Sequence, residues 1–477
     1  MALDAVLRGF RVALIDKGDF ASGTSSASSK LVHGGLRYLE HGGFHLVYEA
    51  LRERGRLLRN APHLVHPLRF VIPFLRGARV PPWKWRLGLV LYDLLAGTAN
   101  VRRSRTLRAG QLLAEFPRLK GEGLLGGAEY FDAAMDDARL CIEVVRTAAL
   151  HGACVANYVE ATAFEPGEVR ALDRVGGAEL LLRARQVVNA TGPWVDAVRR
   201  LAGDDDRPVL RPTKGVHLVL PALGLGSAFL LLHPADGRVF FVIPWLGKTL
   251  IGTTETLSDE PPERLTVTPE EIAYLLEGYN HHFPPGLGAG DVLGAFAGLR
   301  PLLRSRRDEP SALSREFRLF VSPSGLLSVA GGKYTTYRHM AEVITDAVAR
   351  RLGRRRRCRT RDFRLDGAPP GPRPEFARAE TAALQRQGLS AATAAHLVGR
   401  YGRHARDVAA YMERDPGLGR PAVQGEPDLW AEFAYQRDHE MAVYPADCLL
   451  RRTRLGLAHP HLLRLPAGTL APLRAGS

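Results

Sequence analysis

A short strand and the turn that follows it constrain this chain more than any other feature. Arg11-Val12-Ala13-Leu14-Ile15-Asp16 is an apolar run ending in an acid. That is the pattern of a parallel strand whose carboxylate takes a ribose hydroxyl in a doubly wound nucleotide fold. Downstream, Gly23 to Glu40 packs five hydroxyl side chains (Thr24, Ser25, Ser26, Ser28 and Ser29) and Lys30 into seven residues, then adds His33, Gly34-Gly35, Arg37 and Tyr38. Small hydroxyls on a flexible backbone let the main chain approach an anion and donate hydrogen bonds to it. A solvated Ser-rich loop is the plainer account. The positive charge, the paired glycines and the strand just upstream weigh against it.

In a dinucleotide fold the acid stands about 20 residues after a glycine-rich turn. Counting back from Asp16 places that turn ahead of Met1. The expectation is therefore a chain that opens inside the first helix (Ala2 to Leu7, stopped by Gly9), with the first strand and its Gly-rich turn encoded upstream.

With 477 residues, 45% of them hydrophobic, the chain can bury a large core and has length for two or three domains. The four cysteines (Cys141, Cys154, Cys358, Cys448) are scattered, which offers neither a zinc site nor a disulfide framework and fits a reducing compartment. No metal site is expected. No signal peptide is visible, and no run reaches the roughly 18 to 20 apolar residues that span a bilayer. The net charge of +15 suits a phosphorylated substrate or an anionic lipid surface, or reflects a simple bias towards arginine. No nucleic-acid motif accompanies it, so no nucleic-acid partner is expected.

Leu46 to Arg59 reads as an amphipathic helix, and Leu68 to Phe74 as a strand. Pro81-Pro82-Trp83-Lys84-Trp85-Arg86 leads into an apolar helix over Leu87 to Leu95. Rings interleaved with cations suit a membrane interface; a buried helix with a basic flank is the other reading. Asp136 to Leu150 is predicted helical, Cys154 to Phe164 and Leu180 to Asn189 as strands. From Leu210 to Phe320 the pattern turns to short antiparallel strands, interrupted by a helix from Pro269 to His281. Leu326 to Ala330 returns as a buried parallel strand before Gly331-Gly332-Lys333 and a further helix. Arg354 to Arg364 and the Pro/Gly-rich stretch after it read as a solvated linker, followed by a helical segment with no compact catalytic cluster.

With these residues in view the chain resembles the FAD-dependent, quinone-linked (aerobic) glycerol-3-phosphate dehydrogenases. The motifs are TSSASSKLVHGGLRYLE (24–40), MDDARL (135–140), NATGPWVD (189–196), KGVHLVLP (214–221), VIPW (242–245), IGTTET (251–256), GLRPLL (298–303) and GGKYTTYR (331–338). The resemblance implies an α/β fold with an α+β insert. A Rossmann-like FAD-binding domain of the glucose/D-amino-acid oxidase type would carry an antiparallel-sheet substrate domain and a C-terminal helical domain. Residues 1–75, 125–205 and 322–352 would form the FAD-binding domain, 76–124 a membrane-interface insert, 206–321 the substrate domain, 353–374 the linker and 375–477 the helical domain. Family members commonly have Asp where Glu255 stands.

The implied reaction is oxidation of sn-glycerol 3-phosphate to dihydroxyacetone phosphate by hydride transfer to flavin N5, with electrons passed to a membrane quinone. Such chemistry needs a base for the hydroxyl proton, stabilisation of charge on the flavin, and cations for the phosphate. Lys333, at a helix start, meets the charge requirement. Arg300, Arg37, Tyr38, Lys333 and the more weakly supported Arg315 are the expected substrate contacts. His217 and His33 are both candidates for the base, so the catalytic set is His217, Arg300, Lys333 and His33. The cofactor is expected at Asp16, Thr24, Ser25, Ser28, Ser29, Lys30, Leu31, Ala161, Ala190, Thr191, Gly192, Gly332, Lys333 and Thr335. The resemblance places the protein in the cytoplasm, peripheral to the inner face of the membrane, with a homodimer left open. An oxygen-using oxidase and a non-catalytic remnant that has lost FAD binding are the alternatives.

Overall fold

A computed structural model of the protein describes residues 1–204, 207–304, 316–354 and 356–464. The acid-ended run forms the strand Ala13–Ile15, which pairs in parallel with Cys154–Ala156. A second parallel pair joins Val188–Asn189 to Leu327–Gly331, and Phe317–Val321 runs antiparallel on the far side. Helices Ala2–Leu7 and Asp137–Leu150 pack with these strands, the second capped by the Asp136 carboxylate accepting from the Arg139 amide. Gly9 ends the first helix at φ +79°, a conformation that favours glycine.

Cys154 to Phe164 is two strands rather than one. Tyr158, at φ +57°, breaks it into Cys154–Ala156 and Val159–Glu165, and the latter starts a separate three-stranded meander with Glu168–Asp173 and Glu179–Arg183.

The largest element is a ten-stranded sheet. It contains the antiparallel strands expected after Leu210, and also Val65–Leu75 and Leu124–Met135, which pair with each other over most of their length. Period-two alternation divides the central strands between two cores. Phe70, Ile72 and Tyr130 face Val47, Leu51, Leu89 and Tyr92 of the helices Phe44–Asn60 and Pro82–Ala96. Val71, Val216, Leu218 and Ile251 face Leu275, Tyr279 and Phe283, which come from the helix Pro269–His282 and the residue after it. Thr268 caps that helix, its hydroxyl accepting from the Glu271 amide.

The helix Pro82–Ala96 keeps Leu89, Tyr92 and Ala96 inside. It leaves Trp83, Leu87, Val90 and Leu94 between 55% and 72% exposed, one stripe at helical spacing. Among the described residues no helix is long and apolar enough to cross a membrane.

The basic stretch after residue 353 is not a solvated linker along its whole length. Arg361 pairs with Glu342, and Leu365 and Ala368 are buried. Beyond it, helices Arg373–Arg386, Ala391–Tyr401, Ala405–Arg414 and Trp430–Glu440 pack on their own core around Leu397, Tyr401 and Tyr435.

Candidate active site

The strand Thr213–Pro221 alternates between the two cores, so Gly215, His217 and Val219 share the face opposite Val216 and Leu218. Gly294–Arg300 and Lys248–Gly252 flank it, and the register sets His217 opposite both Phe296 and Gly252. The His217 ring stacks on Phe296 at 5.0 Å and 12°. A side chain at Gly252 would begin 2.2 Å from that ring, which is why this motif carries glycine there. His217 Nε2 lies 2.8 Å from Ser29 Oγ, while Nδ1 is buried without a hydrogen-bond partner. Burial, reinforced by the charges of Arg300 and Lys30, pushes this imidazole down to about 3, so it is neutral at ordinary pH.

Arg300 ends its strand and folds its guanidinium back across Gly215, where a Cβ would approach Nη2 to 2.4 Å. It donates to Thr253 Oγ1 at 2.9 Å and to the Thr254 carbonyl at 3.3 Å. The next residue of the same segment, Glu255, sits 3.6 Å from Arg37. Three consecutive residues therefore tie Arg300 to Arg37. Tyr38 makes the next link: its ring has the Lys333 ammonium 3.6 Å from its centroid and the Arg37 guanidinium at 5.8 Å. Gly35, at φ +81°, leaves room for that ring. Gly331 and Gly332, both at positive φ, bring Lys333 to the start of the helical turn Tyr334–Thr336. His33 stands beside this group, its amide donating to Thr335 Oγ1 at 3.3 Å and its ring edge-on to Phe241. Arg315 lies outside the described residues.

The hydroxyl-rich turn is arranged differently from the expectation at two residues, Lys30 and Ser28. Lys30 is fully buried at φ +58° and donates to both oxygens of Asp137 at 2.9 Å and to the Ser26 carbonyl. Its ammonium is held by an acid and does not face an incoming anion. Ser28 is likewise turned to Asp137, through Oγ at 2.7 Å and its amide at 3.1 Å. Burial alone would raise the Asp137 carboxyl, but Lys30 and Arg454 outweigh it and hold the group below the usual carboxylate range. Leu31 continues into the strand Leu31–Val32 against Ala134. Thr24 Oγ1 donates to the Leu299 carbonyl at 2.7 Å, and Ser25 is half-buried beside it.

Between this turn and the edge of Gly294–Arg300 opens a cavity of about 480 Å³, lined by Gly23, Thr24, Ser26, Ala27, Trp194 and Gly298 together with residues of the C-terminal domain. The second small-residue turn reaches the same place: Ala190, Thr191 and Gly192 lead into Trp194, whose ring packs over Gly23. The Thr191 hydroxyl donates to Asn189 at 2.7 Å. Asp16 closes the parallel pair and accepts from the Gly18 amide at 3.0 Å. Ala161 is on the strand that leaves this point, where the Val159 amide donates to the Asp16 carbonyl.

The model of the FAD dependent oxidoreductase family matches residues 1–338, and that of the C-terminal domain of alpha-glycerophosphate oxidase matches residues 358–465. The aerobic glycerol-3-phosphate dehydrogenase of Bacillus subtilis is 38% identical over 95% of this chain and 84% of its own length. The chain belongs to the FAD-dependent glycerol-3-phosphate dehydrogenase family. The Staphylococcus saprophyticus enzyme of that name is 36% identical over the same shares. The crystal structure of glycerol-3-phosphate dehydrogenase from Bacillus halodurans complexed with FAD superposes with a TM-score of 0.78 at 32% identity, covering 97% of this chain and 85% of that one.

The cofactor of this dehydrogenase family is FAD, and the donor set present here fits it. Asp16 stands at the end of the first strand of the parallel pair, accepts from the Gly18 amide, and burial pushes its carboxyl up to about 6. A carboxylate at the end of such a strand is where a ribose hydroxyl is bound in nucleotide folds. Residues of the two glycine-containing turns, Gly23 and Trp194, meet at one cavity, and Lys333 stands at the start of the helical turn Tyr334–Thr336. Asp16, the 24–29 turn, the 190–192 turn, Lys333 and Thr335 would hold the group.

Asp137 and Phe296 were not singled out from sequence, and Glu255 was noted there only as a departure from the family's Asp, not as the partner of Arg37. Asp137 lies within a quoted motif, but its partner Lys30 is 107 residues away, a pairing that no local pattern reveals. Among the described residues one trio of ligating side chains also meets, His396, Asp428 and Glu432. Arg400 already donates to both carboxylates there.

Proposed function

We propose that this dehydrogenase oxidises sn-glycerol 3-phosphate to dihydroxyacetone phosphate and passes the electrons to a membrane quinone. The observation that carries the reading is the linked set of Arg37, Arg300 and Lys333, joined by Tyr38 and the segment Thr253–Glu255. Guanidinium groups grip phosphate oxygens in pairs, and an ammonium adds a compact charge. The secondary alcohol carbon loses a hydride and its hydroxyl a proton, so that C–O becomes C=O. FAD, when bound, supplies the hydride acceptor. His217 takes the proton through the Ser29 hydroxyl that it contacts. Its basicity is held low first by burial and then by Arg300 and Lys30; a dianionic phosphate on Arg300 offsets the charge of that arginine and raises the imidazole from its depressed value.

The exposed stripe of Trp83, Leu87, Val90 and Leu94, flanked by the exposed cations Lys84 and Arg86, supports a peripheral seat on an anionic bilayer where a quinone is met. We propose the inner face of the cell membrane for this seat, as the family resemblance implies.

The deciding experiment loads the purified chain with FAD and adds glycerol 3-phosphate without oxygen. Bleaching of the flavin band supports the reading, and an unchanged spectrum overturns it. Re-oxidation of the bleached protein by a short-chain quinone, slow in oxygen alone, supports the quinone acceptor. The reverse order makes the enzyme an oxidase. Flotation with anionic vesicles, lost in L87D/V90D, tests the membrane seat.

A further inference from the structure

Arg454 belongs to the C-terminal helical domain, but its guanidinium ends in the nucleotide-binding domain. A π-helical turn, Cys448–Arg452, precedes it, and Arg454 itself takes the left-handed conformation at φ +71°. The side chain is buried, 3% exposed. It donates to Asp136 Oδ1 through Nη2 at 2.7 Å and through Nε at 3.1 Å, and to Asp137 Oδ1 through Nη2. The backbone behind it is fixed as well, since Nη1 donates to the Leu450 carbonyl at 2.9 Å.

Asp137 is the post on which the hydroxyl-rich turn hangs. It takes the Ser28 amide, the Ser28 hydroxyl and the Lys30 ammonium, and Lys30 in turn ties down the Ser26 carbonyl. Ser29, between these two anchored residues, is the residue whose hydroxyl meets His217 at 2.8 Å.

Docking of the helical domain has other anchors. Arg451 and Arg452 both donate to Asp19, and Arg139 pairs with Glu440. Arg454 is thus separable from the contacts that merely hold the two domains together.

We infer that Arg454 is a positioning residue for the Ser26–Lys30 turn and, through Ser29, for His217, so that the C-terminal domain sets the geometry of proton removal. This rests on the reading of His217 given above. With Arg454 gone, Asp137 keeps Lys30 but loses its second cation and is free to turn with it. A buried carboxylate stripped of a charged donor is costly to leave in place, so the turn relaxes towards water.

The test compares R454Q, R454K and R452Q in the full-length, FAD-loaded protein, by amide hydrogen exchange and by steady-state kinetics with glycerol 3-phosphate. R454Q is expected to speed exchange over Ser25–Val32 by about tenfold. It should lower kcat by a similar factor, with KM changed less than about twofold, since Arg37 and Arg300 are not on this path. R454K keeps the charge but not the two-carboxylate fork, and falls between R454Q and the unaltered protein. R452Q, a docking variant, leaves exchange over Ser25–Val32 unaltered. Unchanged exchange there in R454Q, or equal acceleration in R452Q, overturns the inference. Should R454Q fail to fold, the same comparison is made between R454K and R452Q, and no localised acceleration in R454K overturns it. Wild-type protein inactive on glycerol 3-phosphate would refute the functional reading instead; the exchange comparison would still decide the role of Arg454.

Discussion

The Tyr92 hydroxyl accepts from the Gly34 amide at 2.9 Å and donates to Asp132 at 2.7 Å. One phenol thus ties the buried face of the Pro82–Ala96 helix to the start of the turn that carries Arg37 and Tyr38. Asp132 is also held by Arg54 at 2.7 Å and is only 3.3 Å from the Gly34 amide. In Tyr92→Phe that amide keeps only the longer contact. Leaving a buried donor poorly satisfied costs about 1–3 kcal/mol. The expected result is a lower urea midpoint together with a KM for glycerol 3-phosphate raised about threefold to tenfold, as Arg37 and Tyr38 lose their fixed approach. Lost stability with KM unchanged would show that the turn holds its shape without Tyr92.

His217→Gln keeps a polar group near Ser29 but no base. The expected loss is about a hundredfold to ten-thousandfold in kcat, the range for a removed general base. KM should move little, because the linked cations are built from other residues. The same measurement on His33→Asn decides between the two histidines. A larger kcat loss there than in His217→Gln would transfer the role to His33.

Much of this site is legible in the sequence because its parts are glycine-marked turns and alternating strands. The spacing of Lys214, Gly215, Val216 and His217 gives the face of the strand directly. Gly252 and Gly215 stand where a Cβ would collide with His217 or Arg300, so the motifs read as packing constraints once the strands are paired. The misreading of Lys30 has the opposite cause. A lysine after a run of hydroxyls looks like an anion ligand, and only the fold brings Asp137 against it. Arg454 is harder still, since its partner is 317 residues away and its own neighbourhood is an ordinary basic helix end. Charge pairs between distant segments leave no local periodicity to read.

Glu255 sets a carboxylate 3.6 Å from Arg37 inside a site built for an anion. Glu255→Gln keeps the side-chain length and removes the competing charge. The expected outcome is a KM for glycerol 3-phosphate lower by about two- to fivefold, a modest effect because Arg37 is a third exposed and its interactions are screened. The gain should shrink as salt rises. A raised KM would mean that Glu255 serves by aiming Arg37 and not by competing for it.

Four histidines make the fold acid-sensitive. Burial holds His217 and His63 down to about 3, and His66 and His282 down to about 4. In the unfolded chain each titrates near 6.5. Between about pH 6.5 and the depressed folded values the unfolded state therefore binds more protons than the folded one. Stability rises with pH through this window and is complete above it; as pH falls below 6.5 each histidine removes up to about 1.4 kcal/mol per unit. Glu342, drawn down to about 2 by Arg361 and Arg338 against the opposing effect of burial, adds a further loss below its unfolded value near 4.5. The expected observation is a urea midpoint that is level from pH 8 to 7 and drops from pH 6.5 to 5, with Asp16, raised by burial to about 6, offsetting part of the loss below that pH. A midpoint still level at pH 5 would mean that these imidazoles are hydrated and protonate in the folded protein.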